Sequence, residues 1–382
     1  MKKIVLIFCF IAFFLALNVV DVKAKTLDEN INEQLNNLDF SELEEIMNEL
    51  NVQINSKSFI NIVLSMTKGE YSFDFISFKD YIFNLITNSL RSYMPTIMVL
   101  AGISIFASIV QSCKSSFASE GVSKIINFVC LLSFFLLFST LILNIYKNTQ
   151  NTIEKLAKVS EIMSPIMMVL MLVSGGTVSA SLYKPSTLVF SNLSINIFVS
   201  ILLPLLALVF IIGSISSFSS EIKLNGILDF LFSIIKWIIG IVVTCYGLFI
   251  TIQGISTAVF DGISLKATKY AIGNSIPIVG GFLKDGFDLI VASSIIIKNS
   301  VGFASIICLF SYILAPFFEC LVLLLCLKIL GAISNMFSNV ELTSLCSFLS
   351  KGLTYLNAVL LLTGFMFFIN VFIGILSSSA FV

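Results

Sequence analysis

No histidine occurs anywhere in the 382 residues. That absence removes imidazole acid–base chemistry, Ser-His-Asp triads and most zinc sites together. Charge is also scarce. Only 12% of residues are Asp, Glu, Lys or Arg, against roughly 25% in a soluble domain. The 22 bases balance the 22 acids, so no basic field points to nucleic acid. No CxxC pair is present among the eight cysteines. Cys9 sits in the leader, and Cys113, Cys130, Cys245, Cys308, Cys320, Cys326 and Cys346 lie in or beside apolar runs. Inert buried thiols are expected, with no disulfide framework and no metal site. Gly280-Gly281 lacks the GK[ST] ending of a phosphate loop, so neither a nucleotide nor another cofactor is expected. No enzyme constellation survives these exclusions.

What is present is apolar: 57% of residues are hydrophobic and the mean hydropathy is +1.03. The class this implies is an all-α polytopic integral membrane bundle whose main partner is the lipid bilayer. Residues 1–24 read as a signal peptide. Lys2-Lys3 precedes the apolar run Ile4–Leu17, and Val22-Lys23-Ala24 offers a cleavage site. An uncleaved anchor is the alternative, and both place the next segment outside the cytoplasm. Residues 25–91 carry eleven acids against five bases, which suits an exported region. Leu27, Ile31, Leu35 and Leu38 recur at helical spacing. A second helix is expected after Asp39, with Glu42 closing a capping box and Leu38 and Leu43 as its staple. This region is either a small cap on the membrane part or a docking surface.

The membrane domain, residues 92–382, holds seven runs near the ~20 residues a span needs. They are Met94–Val110, Ile125–Tyr146, Ile162–Leu182, Leu188–Ile215, Ile227–Ile252, Val301–Leu330 and Leu353–Leu376. Between the fifth and sixth lies a charged, broken stretch, 261–302, interrupted by Gly273, Pro277, Gly280 and Gly281. Lipid cannot replace the backbone hydrogen bonds that Gly and Pro give up, so this stretch belongs against protein or water. A re-entrant element gives seven crossings, and two half-helices crossing together give eight. Loop lysines do not separate the two. Ser164-Pro165 with Gly175-Gly176 faintly echoes Pro277 with Gly280-Gly281, the pattern of repeat-built transporters.

Several polar residues are candidates for function. Lys236 and Glu319 fall near the middle of apolar runs, where a charge facing lipid costs ~2.5–3.5 kcal/mol on insertion scales. An interhelical pair satisfies both. Alternatively Lys236 snorkels beside Trp237 while Glu319 faces a cavity opened by Pro316. In the broken stretch Lys284 and Asp288 are spaced to bridge on one helical face. Asp285 and Asp288 are spaced to face a cation jointly, though a solvated interfacial helix accounts for the same charges. Small residues at Gly102, Ala107, Ser108, Gly240, Gly247, Gly302, Ala304 and Ser305 predict close helix packing within the bundle or between subunits, so oligomers are open to it.

These pieces in order support a family resemblance: the leader, the LDFSELEEIMNELN stretch, Gly69-Glu70 with SFDF, and the Pro165, Gly175-Gly176 span. Above all there is DGISLKATKYAIGNSIPIVGGFLKDGFDLIVASSIIIKNSVG. The chain resembles stage III sporulation protein AE of endospore-forming bacteria. That resemblance implies a multi-pass subunit of a channel or secretion-like complex joining mother cell and forespore. It would lie in the mother-cell membrane around the forespore, alongside other stage III sporulation membrane proteins, and serve late forespore development. No catalytic residues come with the family. A free-standing secondary transporter working through the broken stretch with Lys236, Glu319 or Asp288 is the alternative, and a purely structural scaffold is a third.

Overall fold

A chain this apolar meets one dominant demand: each backbone N–H and C=O placed in hydrocarbon needs a partner within its own segment, which a helix supplies. The computed structural model describes residues 27–36, 38, 40–49, 59–72, 74–112, 120–218, 224–275 and 280–377. Among these residues it holds helices and no strand. Three short helices come first, α1 (Leu27–Asn36), α2 (Ser41–Glu49) and α3 (Phe59–Thr67). Long helices follow: α4 (Phe75–Ser112), α5 (Glu120–Val173), α6 (Thr177–Ser194), α7 (Leu203–Phe218), α8 (Asn225–Ser275), α9 (Gly280–Met336) and α10 (Val340–Leu376). A wider π-helical stretch, Ile195–Leu202, joins α6 to α7 without interruption. The leader, Asp39 and Pro277 lie outside the described residues.

Six helical runs among the described residues are long and apolar enough to cross a membrane: Phe75–Val110, Gly121–Val173, Thr177–Phe218, Asn225–Thr251, Lys284–Met336 and Val340–Leu376. The all-α polytopic reading holds, and six runs among the described residues stand where seven were expected. Ile162–Leu182 is the cause, because it straddles the end of α5 and the start of α6. Gly175 sits there at φ +87°. Its N–H donates to the Leu172 carbonyl (3.1 Å) and that of Gly176 to Met171 (2.8 Å), the double closure of a Schellman cap. An added Cβ at Gly175 would stand 2.3 Å from Leu265 Cδ1, so Leu265 would have to turn aside to admit a side chain.

Cross-helix contacts fix the directions. Cys320 Sγ bonds the Leu353 carbonyl (3.4 Å), a Cβ on Gly364 would meet Ile313 (2.5 Å), and one on Gly302 would meet Ile375 (2.3 Å). Helices α9 and α10 therefore lie antiparallel along their length. Tyr81 Oη donates to the Ser311 carbonyl (3.1 Å), while Asn370 Nδ2 reaches Ser160 Oγ (3.4 Å). Tyr246 Oη reaches the Met366 carbonyl (2.6 Å). The six runs alternate in direction, so Phe75 and Leu376 lie at the same end of the bundle. Helices α1–α3 cap that end. Ile31, Leu35, Phe40, Leu43 and Phe59 share a buried cluster with Leu156, Met163, Ile297 and Ile375. A second cluster around Phe134, Phe198, Leu323 and Leu349 fills the opposite end.

The runs outreach a bilayer. The 54 residues of α5 extend about 80 Å at ~1.5 Å each, against a hydrocarbon core of ~30 Å. Towards the uncapped end the outward faces are lipid-like, with Phe106, Phe128, Ile211, Phe230 and Trp237 exposed. Nearer the capped end α5 instead exposes Lys147, Asn148, Asn151, Glu154 and Lys158. Helices α6, α9 and α10 carry the apolar surface on through that half, with Leu188, Val189, Phe310 and Phe372 exposed.

Candidate functional site

The described parts of the broken stretch are the end of one helix and the start of the next. Gly273 stands near the end of α8, which closes at Ser275, and Gly280 and Gly281 stand at the start of α9. The described parts of the stretch pack at the capped end, against the start of α6 and against α1. Lys269 Nζ lies 2.8 Å from Asp288 Oδ1, tying the two helices. That contact takes the place of the expected Lys284–Asp288 bridge. Lys284 and Asp285 are exposed, and Asp288 is half-buried. No group of metal-ligating side chains forms among the described residues.

Three anchors hold these two helices. Asp261, buried with 1% exposure, accepts from the backbone N–H of Val178 (2.9 Å) and Ser179 (3.2 Å). The Ser179 hydroxyl donates to its other oxygen. The first amides of a helix have no partner within it, and the helix dipole favours an anion there. A carboxylate from α8 thus caps α6. Thr177 Oγ1 and Ser264 Oγ share a bond of 3.2 Å one turn on, and Leu265 closes over Gly175.

The second anchor is Lys298 on α9, fully buried, whose Nζ donates to the carbonyl of Ser377 past the end of α10. The third is Gln34 on α1. Its Nε2 donates to Ser293 Oγ (2.9 Å) and its Oε1 accepts from Ser294 Oγ (2.8 Å). The acidic N-terminal region is thereby docked on the same pair of helices. Sequence reading missed all three anchors. Asp261 and Lys298 were visible as charges, but no periodicity links them to partners 82 and 79 residues away.

The two charges within apolar runs are not brought together. Glu319 accepts from Asn148 Nδ2 (3.1 Å) and Tyr93 Oη (3.4 Å), between α4 and α5. Lys236 is exposed on α8 beside Trp237, lining a shallow groove with Gly240, Thr244 and Cys245. Helix α9 continues through Pro316. Of the small residues, Ala107, Ser108, Ala304 and Ser305 are buried in helix contacts. Gly102, Gly240 and Gly247 meet nothing within 4 Å. Cys130, Cys308, Cys320 and Cys346 are buried free thiols.

Helices α9 and α10 also frame an apolar groove of about 420 Å³ lined by Ile306, Phe310, Ile313, Leu361, Phe365 and Phe368. Ile313 lies two residues from Ser311, the carbonyl that Tyr81 reaches. The groove is therefore level with the polar, exposed part of α4.

Residues 57–378 match the model of a family described as stage III sporulation protein AE. A curated relative named stage III sporulation protein AE, from Bacillus subtilis (strain 168), is 25% identical over 309 residues. The alignment covers 81% of this chain and 77% of the relative. No solved structure matches.

Proposed function

This chain belongs to the stage III sporulation protein AE family, is a multi-pass membrane protein with a role in sporulation, and we propose that it is a membrane subunit of a conduit between mother cell and forespore. In this reading it sits in the mother-cell membrane around the forespore, packs against other stage III membrane proteins and catalyses no reaction. The observation that supports a subunit over a free-standing transporter is the apolar α9–α10 groove. It opens at the height where α4 exposes Lys79, Asp80 and Asn84. A contiguous apolar groove level with exposed charges asks for protein cover.

The test has two arms. A deletion strain should arrest after engulfment, and purified protein in vesicles should move no solute by itself. Phe368→Glu should reproduce the arrest while the protein still accumulates in the membrane. Normal spores from the deletion strain, or solute uptake by the protein alone, would overturn the proposal.

A further inference from the structure

We propose that a second α9–α10 groove, at the uncapped end of the bundle, binds the phosphate of an anionic phospholipid. One face of α9 supplies Lys328, Gly331 and Asn335, and the facing side of α10 supplies Ser347, Ser350 and Lys351, around about 470 Å³. No acid lines it. Helix α10 comes close at Gly331, where an added Cβ would stand 3.1 Å from Cys346 Cβ, so both lysines rise from the same cleft.

Both lysines are exposed, and neither is held in an ion pair among the described residues. Lys351 Nζ lies 5.9 Å from the ring centroids of both Phe232 and Phe348, which keeps its charge at the groove wall. The hydroxyls of Thr343 and Thr354 already donate to the carbonyls of Asn339 and Ser350. The donors left for an anion are the two ammonium groups, the Asn335 amide and the hydroxyls of Ser347 and Ser350.

Depth and surroundings select a lipid over a free anion. Lys328 lies eight residues before Met336, the end of α9, or about 12 Å at ~1.5 Å per residue. That is inside the spanning run and near its end. There an unpaired lysine is costly in hydrocarbon, and headgroup phosphates are within reach of a snorkelling side chain. Large apolar residues flank the cleft: Leu325 and Ile329 on α9, and Met336 and Val340 at the turn. They offer acyl chains a surface beside the phosphate site. On the expectation that residues 25–91 are exported, this is the cytoplasmic edge, where basic clefts between helices take anionic headgroups.

The experiment uses the full-length protein in nanodiscs holding equal parts phosphatidylglycerol and phosphatidylcholine, with retained lipid measured by native mass spectrometry. Phosphatidylglycerol should be retained about thirtyfold over phosphatidylcholine, from about fivefold per lysine. Lys328→Gln with Lys351→Gln should abolish the preference. Lys328→Arg with Lys351→Arg should keep it, and so should Lys236→Gln outside the groove. Equal retention of the two lipids, or a preference that survives the double Gln variant, would overturn the proposal. Displacement of the lipid by millimolar inorganic phosphate would also overturn it, by identifying a free-phosphate site.

Discussion

Asp261 caps helix α6 from α8. Its Oδ1 accepts from the amides of Val178 and Ser179 at 2.9 and 3.2 Å, so an internal carboxylate does what a local Ser or Asp usually does. Gly176, at the position before the helix, makes no side-chain cap. The acceptor has come from elsewhere in the chain.

Removing that acceptor leaves buried amides without a partner. Asp261→Ala should cost on the order of 3 kcal/mol, the range of a charge-assisted buried bond plus an unsatisfied donor. It should lower the thermal unfolding midpoint in detergent. Asp261→Asn keeps an oxygen acceptor and loses the charge, so its loss should be smaller.

Gly175→Ala meets two separate obstacles. The positive φ costs an L-residue roughly 1–2 kcal/mol, and the new methyl would clash with Leu265. Folded yield in the membrane should fall. Adding Leu265→Ala should recover only part of it, since that change removes the clash and leaves the backbone strain. Full recovery in the double variant would show that φ does not matter here.

Gln34 makes its bonds across 259 and 260 residues of sequence. Gln34→Ala should weaken the seat of α1 on α9 by about 1 kcal/mol per bond. The readout is faster protease cleavage within the first seventy residues, about tenfold per 1.4 kcal/mol, with the membrane bundle left intact.

Lys236 and Glu319 sit in separate settings, so a double-mutant cycle of Lys236→Met and Glu319→Gln should give additive stability changes, within about 0.5 kcal/mol. Glu319→Gln alone should destabilise, because one amide oxygen replaces a carboxylate that serves Tyr93 and Asn148. A coupling well above that limit would restore the interhelical pair.

Asp74 opens helix α4. Its carboxylate accepts from the Ser77 hydroxyl (2.6 Å) and the Ile76 amide (2.9 Å), and these bonds, the hydroxyl of Ser77 foremost, hold its pKa below the usual value. A lowered folded pKa means the cap is at full strength above the ordinary carboxylate range and fades as pH falls through the folded value. Protection of the first turn of α4 against hydrogen exchange should therefore drop in acid, relative to Asp74→Ala, whose protection should lack that step.

The sequence by itself determined the class of this protein. Apolar runs with no internal partner for their backbone other than a helix leave little choice, and several motifs taken in order, the run from Asp261 to Gly302 foremost, carried the family resemblance. The Gly175-Gly176 pair was legible as an interruption. That it ends one helix and starts another, and so removes a span, depended on the caps around it. Only the tertiary structure decided where the charges go. Lys269 rather than Lys284 meets Asp288, Asp261 finds amides on another helix, and Lys298 finds a carbonyl beyond α10. Local spacing registers neighbours three or four residues away. Buried charges choose partners by which helix ends meet, and packing across the whole bundle sets that.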